Sequence, residues 1–136
     1  SAFEKEATAR SSKNKTNQKV GFVLELSINK GHSLAKVKTM LEGLTKFMRA
    51  NESEAYDYGY YLSQDQKKIT LIEKYANSEA AILHAENFES GPNMEPFLAA
   101  FTIESFVLFG NSSDALRERI KAYGVSPREL IGGWTN

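Results

Sequence analysis

An α+β fold is predicted by three features of this 136-residue chain. Stretches that alternate with a two-residue period are separated by stretches of helical spacing. Their order is strand, helix, strand, strand, helix, strand, with a further helix after the last strand. The two middle strands, "AYDYGYYLS" and "ITLIEKY", are joined only by "QDQKK", a polar turn that makes them an antiparallel hairpin.

Residues 1–19 are polar and lysine-rich, with Phe3 as the one aromatic, and read as a flexible N-terminal arm. "VGFVLELSIN" (20–29) alternates, with Phe22, Leu24, Leu26 and Ile28 on one face and Val23, Glu25 and Ser27 on the other. "KGH" breaks the strand, His32 falls in that loop, and Ser33 is placed to cap a helix. Val37, Met40, Leu41, Leu44, Phe47 and Met48 then recur at helical spacing through Arg49. The hairpin occupies 55–63 and 69–75. Ser78 or Asn77 caps a helix running to about Glu89, and Gly91, Pro92 and Pro96 mark a loop. "FTIESFVLFG" (101–110) is a fourth strand with apolar residues on both faces. The Ser112–Ser113–Asp114 cluster caps a third helix with Ala115, Leu116, Ile120 and Tyr123 on its face, and Gly124 suits a helix C-terminus. The tail, 125–136, carries the only tryptophan, Trp134. This βαββαβ order gives a ferredoxin-like domain over 20–124: a four-stranded antiparallel sheet with two helices on one face, plus the C-terminal helix.

Composition removes several function classes. Lys plus Arg and Asp plus Glu both number 17, for a formal charge of zero; nucleic-acid binding would need a basic excess or stripe. No apolar run approaches the ~20 residues of a membrane span, and no secretory segment opens the chain. A cytoplasmic protein is expected, although the initial Ser is compatible with a trimmed leader. Cysteine is absent, which excludes disulfides, thiolate catalysis and zinc–thiolate sites. The two histidines, His32 and His84, show no HxxE, HxH or HExxH spacing, so no metal site is assigned. Phosphate-binding glycine loops and the GxSxG elbow are also missing.

Two helices cover one sheet face only. The last strand offers Phe101, Ile103, Val107 and Phe109 on one side and Phe106 and Leu108 on the other; the second sets Tyr56, Tyr58 and Tyr60 against Tyr61. One such set must face away from the helices, and a bare aromatic face is a patch that soluble monomers avoid. A homodimer packed sheet to sheet would bury it; the third helix and the tail with Trp134 are the alternative cover.

The segment order, the stretch "TLIEKYANSEAAILHAENF" (70–88) and the ending "FTIESFVLFGNSSDALRERIKAYG" resemble antibiotic biosynthesis monooxygenase domains. These belong to the dimeric α+β barrel superfamily, which also holds quinol oxygenases and haem-degrading enzymes. The family pattern is an acidic residue and an aromatic on a strand, a turn, then a helix bearing His and Phe. Here those positions read Glu73, Tyr75, Asn77–Ser78, His84 and Phe88. The resemblance covers about 20–124 and implies a dimeric α/β barrel with a ligand cleft between helix and sheet.

Helical spacing puts Ala80, Ala81, His84, Ala85 and Phe88 on one side. Small residues beside a histidine leave room for a pocket wall with one inward polar group; a core histidine bonded to a backbone carbonyl fits the same pattern. If the cleft exists, chemistry needing no cofactor is open to it: an electron-rich phenol or anthrone, once deprotonated, passes an electron to dioxygen itself. His84 suits the base, since imidazole titrates near neutrality. Tyr58 or Tyr60 would hydrogen-bond a substrate oxygen, and Phe22, Phe88 and Phe97 would wall a small aromatic substrate. Glu73 either orients a partner or is a solvated strand residue. Two other readings keep the fold. In haem-degrading relatives a helix histidine ligates iron, but their tryptophan and asparagine lack counterparts here. A non-catalytic small-molecule binder or dimerisation module needs no acid–base constellation, and no paired inward carboxylates are evident.

Overall fold

The computed structural model describes residues 18–136; all of the expected arm but its last two residues lies outside them. The strands are β1 (Val20–Ile28), β2 (Ala55–Leu62), β3 (Lys68–Tyr75), β4 (Phe101–Gly110) and β5 (Ser126–Arg128). The helices are α1 (Leu34–Asn51), α2 (Ser78–Ser90), α3 (Met94–Ala100) and α4 (Asp114–Ile120), the last continued by a 3₁₀ turn, Lys121–Tyr123. The sheet order is β2-β3-β1-β4-β5. The first four strands pair antiparallel, as the ferredoxin-like order requires, and β5 adds a short parallel pairing along β4. Part of the tail therefore extends the sheet. Trp134, which could have covered a face, is 84% exposed.

Side-chain chemistry starts α1, α2 and α4 where the sequence indicates. Ser33 accepts from the Lys36 N–H, Asn77 from Ala80 and Ser113 from Leu116, each satisfying a donor that a helix N-terminus leaves unpaired. Gly124 ends the 3₁₀ turn at φ 74°, the left-handed conformation that glycine adopts most cheaply.

The core lies between sheet and helices. Val20, Phe22, Leu24 and Leu26 point from β1 into it, and Val37, Leu44 and Met48 meet them from α1. Full burial of such side chains is worth about 1.5–3 kcal/mol each, and this apolar stripe holds α1 on the sheet. Ala115, by contrast, is exposed, leaving Leu116 and Ile120 as the buried face of α4.

Two sequence expectations are corrected. The loop read across Gly91–Pro96 contains the start of α3. Pro96 is the third residue of that helix, inside the first turn, where its missing N–H costs no intrahelical bond. On β4, the alternation that grouped Phe101, Ile103, Val107 and Phe109 is interrupted. Leu26 pairs with Ile103 and Glu25 with Ser105, so Glu104 is an extra residue and the strand switches faces across it. Phe101, Ile103, Phe106 and Leu108 thus turn toward the helices, and Val107 and Phe109 toward the opposite face, which no helix among the described residues covers. No helix among the described residues is long and apolar enough to cross a membrane.

Candidate active site

Between sheet and helices runs a cleft that is partly open to solvent. Its sheet wall is built by Phe22, Leu24, Tyr58, Tyr60, Leu71 and Glu73. Ile103 and Phe106 extend it on β4, across the bulge. The helical wall is Leu44, His84, Ala85, Phe88, Phe97 and Ile120, and Tyr123 closes one side. All seven residues singled out from the sequence, Phe22, Tyr58, Tyr60, Glu73, His84, Phe88 and Phe97, line this one cleft. His32 lies in the β1–α1 turn and takes no part.

The walls divide the cleft into an apolar and a polar end. Phe88 and Phe97 meet edge to face at 5.3 Å, and Phe22 and Phe106 at 5.1 Å, arrangements that aromatic quadrupoles favour. At the polar end the imidazole of His84 sits between two carboxylates. Its Nδ1 is 3.0 Å from Oε1 of Glu52, and its Nε2 is 3.0 Å from Oε1 of Glu73. The Tyr75 hydroxyl donates to that same Glu73 oxygen at 2.8 Å. Oε2 of Glu73 has no such partner among the described residues, and Glu73 lines the cleft. Tyr58 and Tyr60 share a hydroxyl–hydroxyl hydrogen bond beside it.

Burial alone would disfavour a charged imidazole. The charge of Glu73 and the hydrogen bonds to Glu52 and Glu73 outweigh that cost and raise His84 to about 10. The two carboxylates thus favour the charged form of the ring. Burial, reinforced by the neighbouring phenol and the Glu73 charge, pushes Tyr58 far up, and burial with Glu73 does the same for Tyr60. Both stay protonated; one hydroxyl donates to the other, and the second is left with an O–H to donate. At the mouth, Tyr123 donates to Glu89 at 2.6 Å, and Arg119 grips Glu89 with two nitrogens at 3.0 and 2.6 Å.

Sequence reasoning missed the paired carboxylates. Glu73 continues the inward period of β3, after Ile69 and Leu71 and before Tyr75, so its burial was readable. Glu52 was not: it follows α1 in "ANESEAY" among other acids and looks like a solvated helix end. Nor do the residues suit an axial haem ligand, because both ring nitrogens of His84 are engaged by carboxylates.

No family model matches the sequence, and no curated protein sequence matches it. Solved structures do. MupZ from Pseudomonas fluorescens aligns with a TM-score of 0.76 at 18% identity, over 88% of this chain and 91% of that one. SnoaB, a cofactor-independent oxygenase from Streptomyces nogalater, aligns in a mutant form with a TM-score of 0.60 at 15% identity, over 71% and 95%. The ferredoxin-like fold is the one these structures share, as the resemblance to antibiotic biosynthesis monooxygenase domains implies. Rv0793 from Mycobacterium tuberculosis also aligns, at 16% identity and a TM-score of 0.51, over 71% and 98% of the chains. At these identities the likeness carries the architecture, while the chemistry must come from the cleft's own residues.

Proposed function

We propose that the protein is a cofactor-independent monooxygenase acting on a small, flat aromatic substrate of quinol or anthrone type. The carrying observation is the Glu52–His84–Glu73 array at the end of an otherwise apolar cleft. Three ionisable groups under the helices are costly, and a packed apolar core of the same volume would be about as stable or more so. Such groups, gathered in a cleft with a strongly shifted histidine, mark a site that handles protons. The likeness to SnoaB supports dioxygen as the partner.

Phe22, Phe88 and Phe97 hold the rings, and Tyr58 or Tyr60 donates to the substrate oxygen. Glu73 and His84 work as one proton-handling pair. Oε2 of Glu73 accepts the acidic proton as the substrate's C–H bond breaks, and the imidazolium beside it offsets the charge left behind. The resulting carbanion passes one electron to dioxygen. The substrate radical and superoxide combine, forming a C–O bond, and protonation gives a hydroperoxide. Loss of the remaining hydrogen on that carbon with cleavage of the O–O bond releases water and leaves a carbonyl. Overall, a CH₂ group and O₂ become C=O and H₂O. The apolar walls keep bulk water from the anion. We also propose that the working unit is a homodimer joined through the uncovered sheet face.

The test is oxygen uptake and quinone absorbance with a panel of anthrones and hydroquinones. Turnover is expected, and Glu73→Gln or His84→Ala should lower kcat by about 10²–10⁴-fold, the usual worth of positioned acid–base groups. No oxygen consumption with any member, or undiminished turnover by both variants, would refute the reading.

A further inference from the structure

Glu52 occupies a fixed place at the end of α1. Its backbone N–H bonds to the Met48 carbonyl at 2.8 Å, and its side chain turns inward, leaving the residue 6% exposed. Both carboxylate oxygens lie near Nδ1 of His84, at 3.0 and 3.3 Å, and the Asn87 amide, one turn along α2, donates to Oε2 at 3.5 Å. Glu52 does not line the cleft. It sits behind the imidazole, where a ligand meets Glu73 and His84 but not Glu52.

We propose that Glu52 is a positioning residue: it locks the His84 ring through Nδ1, so that Nε2–H stays on Oε1 of Glu73 and only Oε2 of Glu73 is left to take a ligand's proton. The inference rests on the reading above that Glu73 meets the substrate. Imidazole alone can turn over or lose a proton. A ring presenting a bare Nε2 to Oε1 of Glu73 would place two acceptors 3.0 Å apart and drive the carboxylate off Tyr75 as well. A carboxylate on Nδ1 opposes both changes: the Nδ1–H bond fixes the ring's orientation, and the negative charge of Glu52 favours the protonated ring, in which Nε2 keeps its hydrogen. Two charged groups from neighbouring elements face the ring, Glu52 from the end of α1 and Glu73 from β3, and both favour its protonated form; the Tyr75 ring packs beside it at 5.6 Å with its hydroxyl on Glu73. Asn87, on the ring's own helix, braces the rear carboxylate.

The decisive measurement is ¹⁵N NMR of histidine-labelled protein, which needs no substrate. In the wild type both ring nitrogens of His84 should remain protonated to about pH 9. Glu52→Gln, of nearly the same shape, should let the ring lose a proton at least about one pH unit lower, and Glu52→Asp should restore part of the shift. With a turned-over substrate, Glu52→Gln should lower kcat by about tenfold or more with KM little changed, and move the alkaline limb of the pH profile down. A neutral His84 at pH 7.5 in the wild type overturns the proposal even if the variant does not fold. So does an unaltered titration in folded Glu52→Gln. Because the NMR result is independent of turnover, failure of the oxygenase reading and failure of the positioning role are seen separately.

Discussion

His84 ties α2 to the end of α1 and to β3 by a single ring, and its charge makes that tie dependent on pH. Its affinity for a proton rises on folding from 6.5 to about 10, as the two glutamates outweigh burial. A group raised in this way stabilises the fold fully below its unfolded value and loses that contribution as pH climbs to the folded value. The window here runs from about 6.5 to about 10. We expect the Tm advantage of the wild type over His84→Gln to be greatest near pH 6 and to shrink steadily toward pH 10. Lysine and tyrosine titrations are common to both proteins and cancel in the difference. Thermal unfolding monitored by circular dichroism measures it, and a constant gap across that range would show that the ring is neutral in the folded chain. At this scale the sequence was half legible. Small neighbours marked the helix face on which His84 stands, while the period of β3, which carries Glu73 inward, went unread. Glu52, by contrast, is recruited by a contact 32 residues away along the chain, which no local spacing encodes.

Strands and helices were mostly readable because their periods are strong and their caps are explicit; the misses came where one residue changed the pattern. The extra residue at Glu104 turned the second half of β4 over, and a sequence with apolar residues on both faces gives no sign of such a switch. Its consequence reaches the site, since Phe106 lines the cleft while Phe109 lies on the far side of the sheet, against Gly21. Gly21 and Phe109 are direct partners in the β1–β4 ladder, and a Cβ on Gly21 would come within 2.2 Å of the ring tip. The ring lies where a side chain would otherwise stand. Gly21→Ala should therefore destabilise the protein by about 1–3 kcal/mol, the range for overfilling a packed position. Phe109→Ala in the same chain should cancel most of that penalty, and a double-mutant cycle by urea unfolding reads the coupling. If the two changes simply add, the ring is mobile and does not depend on the glycine.

For the molecule as a whole, the ladder registers show what the uncovered face offers a second copy. Ile72, Val23 and Val107 are direct partners on adjacent strands and make one straight apolar row across the sheet, all of them half-buried. More polar rows flank it. One runs Tyr61, Thr70, Glu25 and Ser105, with the Thr70 hydroxyl donating to Glu25 at 2.6 Å; the other holds the Asp57–Lys74 ion pair at 3.4 Å beside Gly21 and Phe109. The sequence placed more aromatic surface here than exists, because Tyr58 and Tyr60 turn into the cleft and only Tyr61 and Phe109 remain. What is left, an apolar centre within a polar rim, is the usual anatomy of a specific interface. Across a two-fold axis the row can lie on its own copy, and the charged pairs keep the approach in register. Light scattering at micromolar concentration should give twice the 15.2 kDa of one chain. Val107→Arg, in the middle of the row and partly exposed, should leave the fold intact but bring the mass down to a single chain, since two buried guanidiniums would face each other without partners. A wild-type mass of one chain would remove the dimer. A dimeric Val107→Arg would move the interface off this face, and with it the reason for the row of valines and isoleucine at its centre.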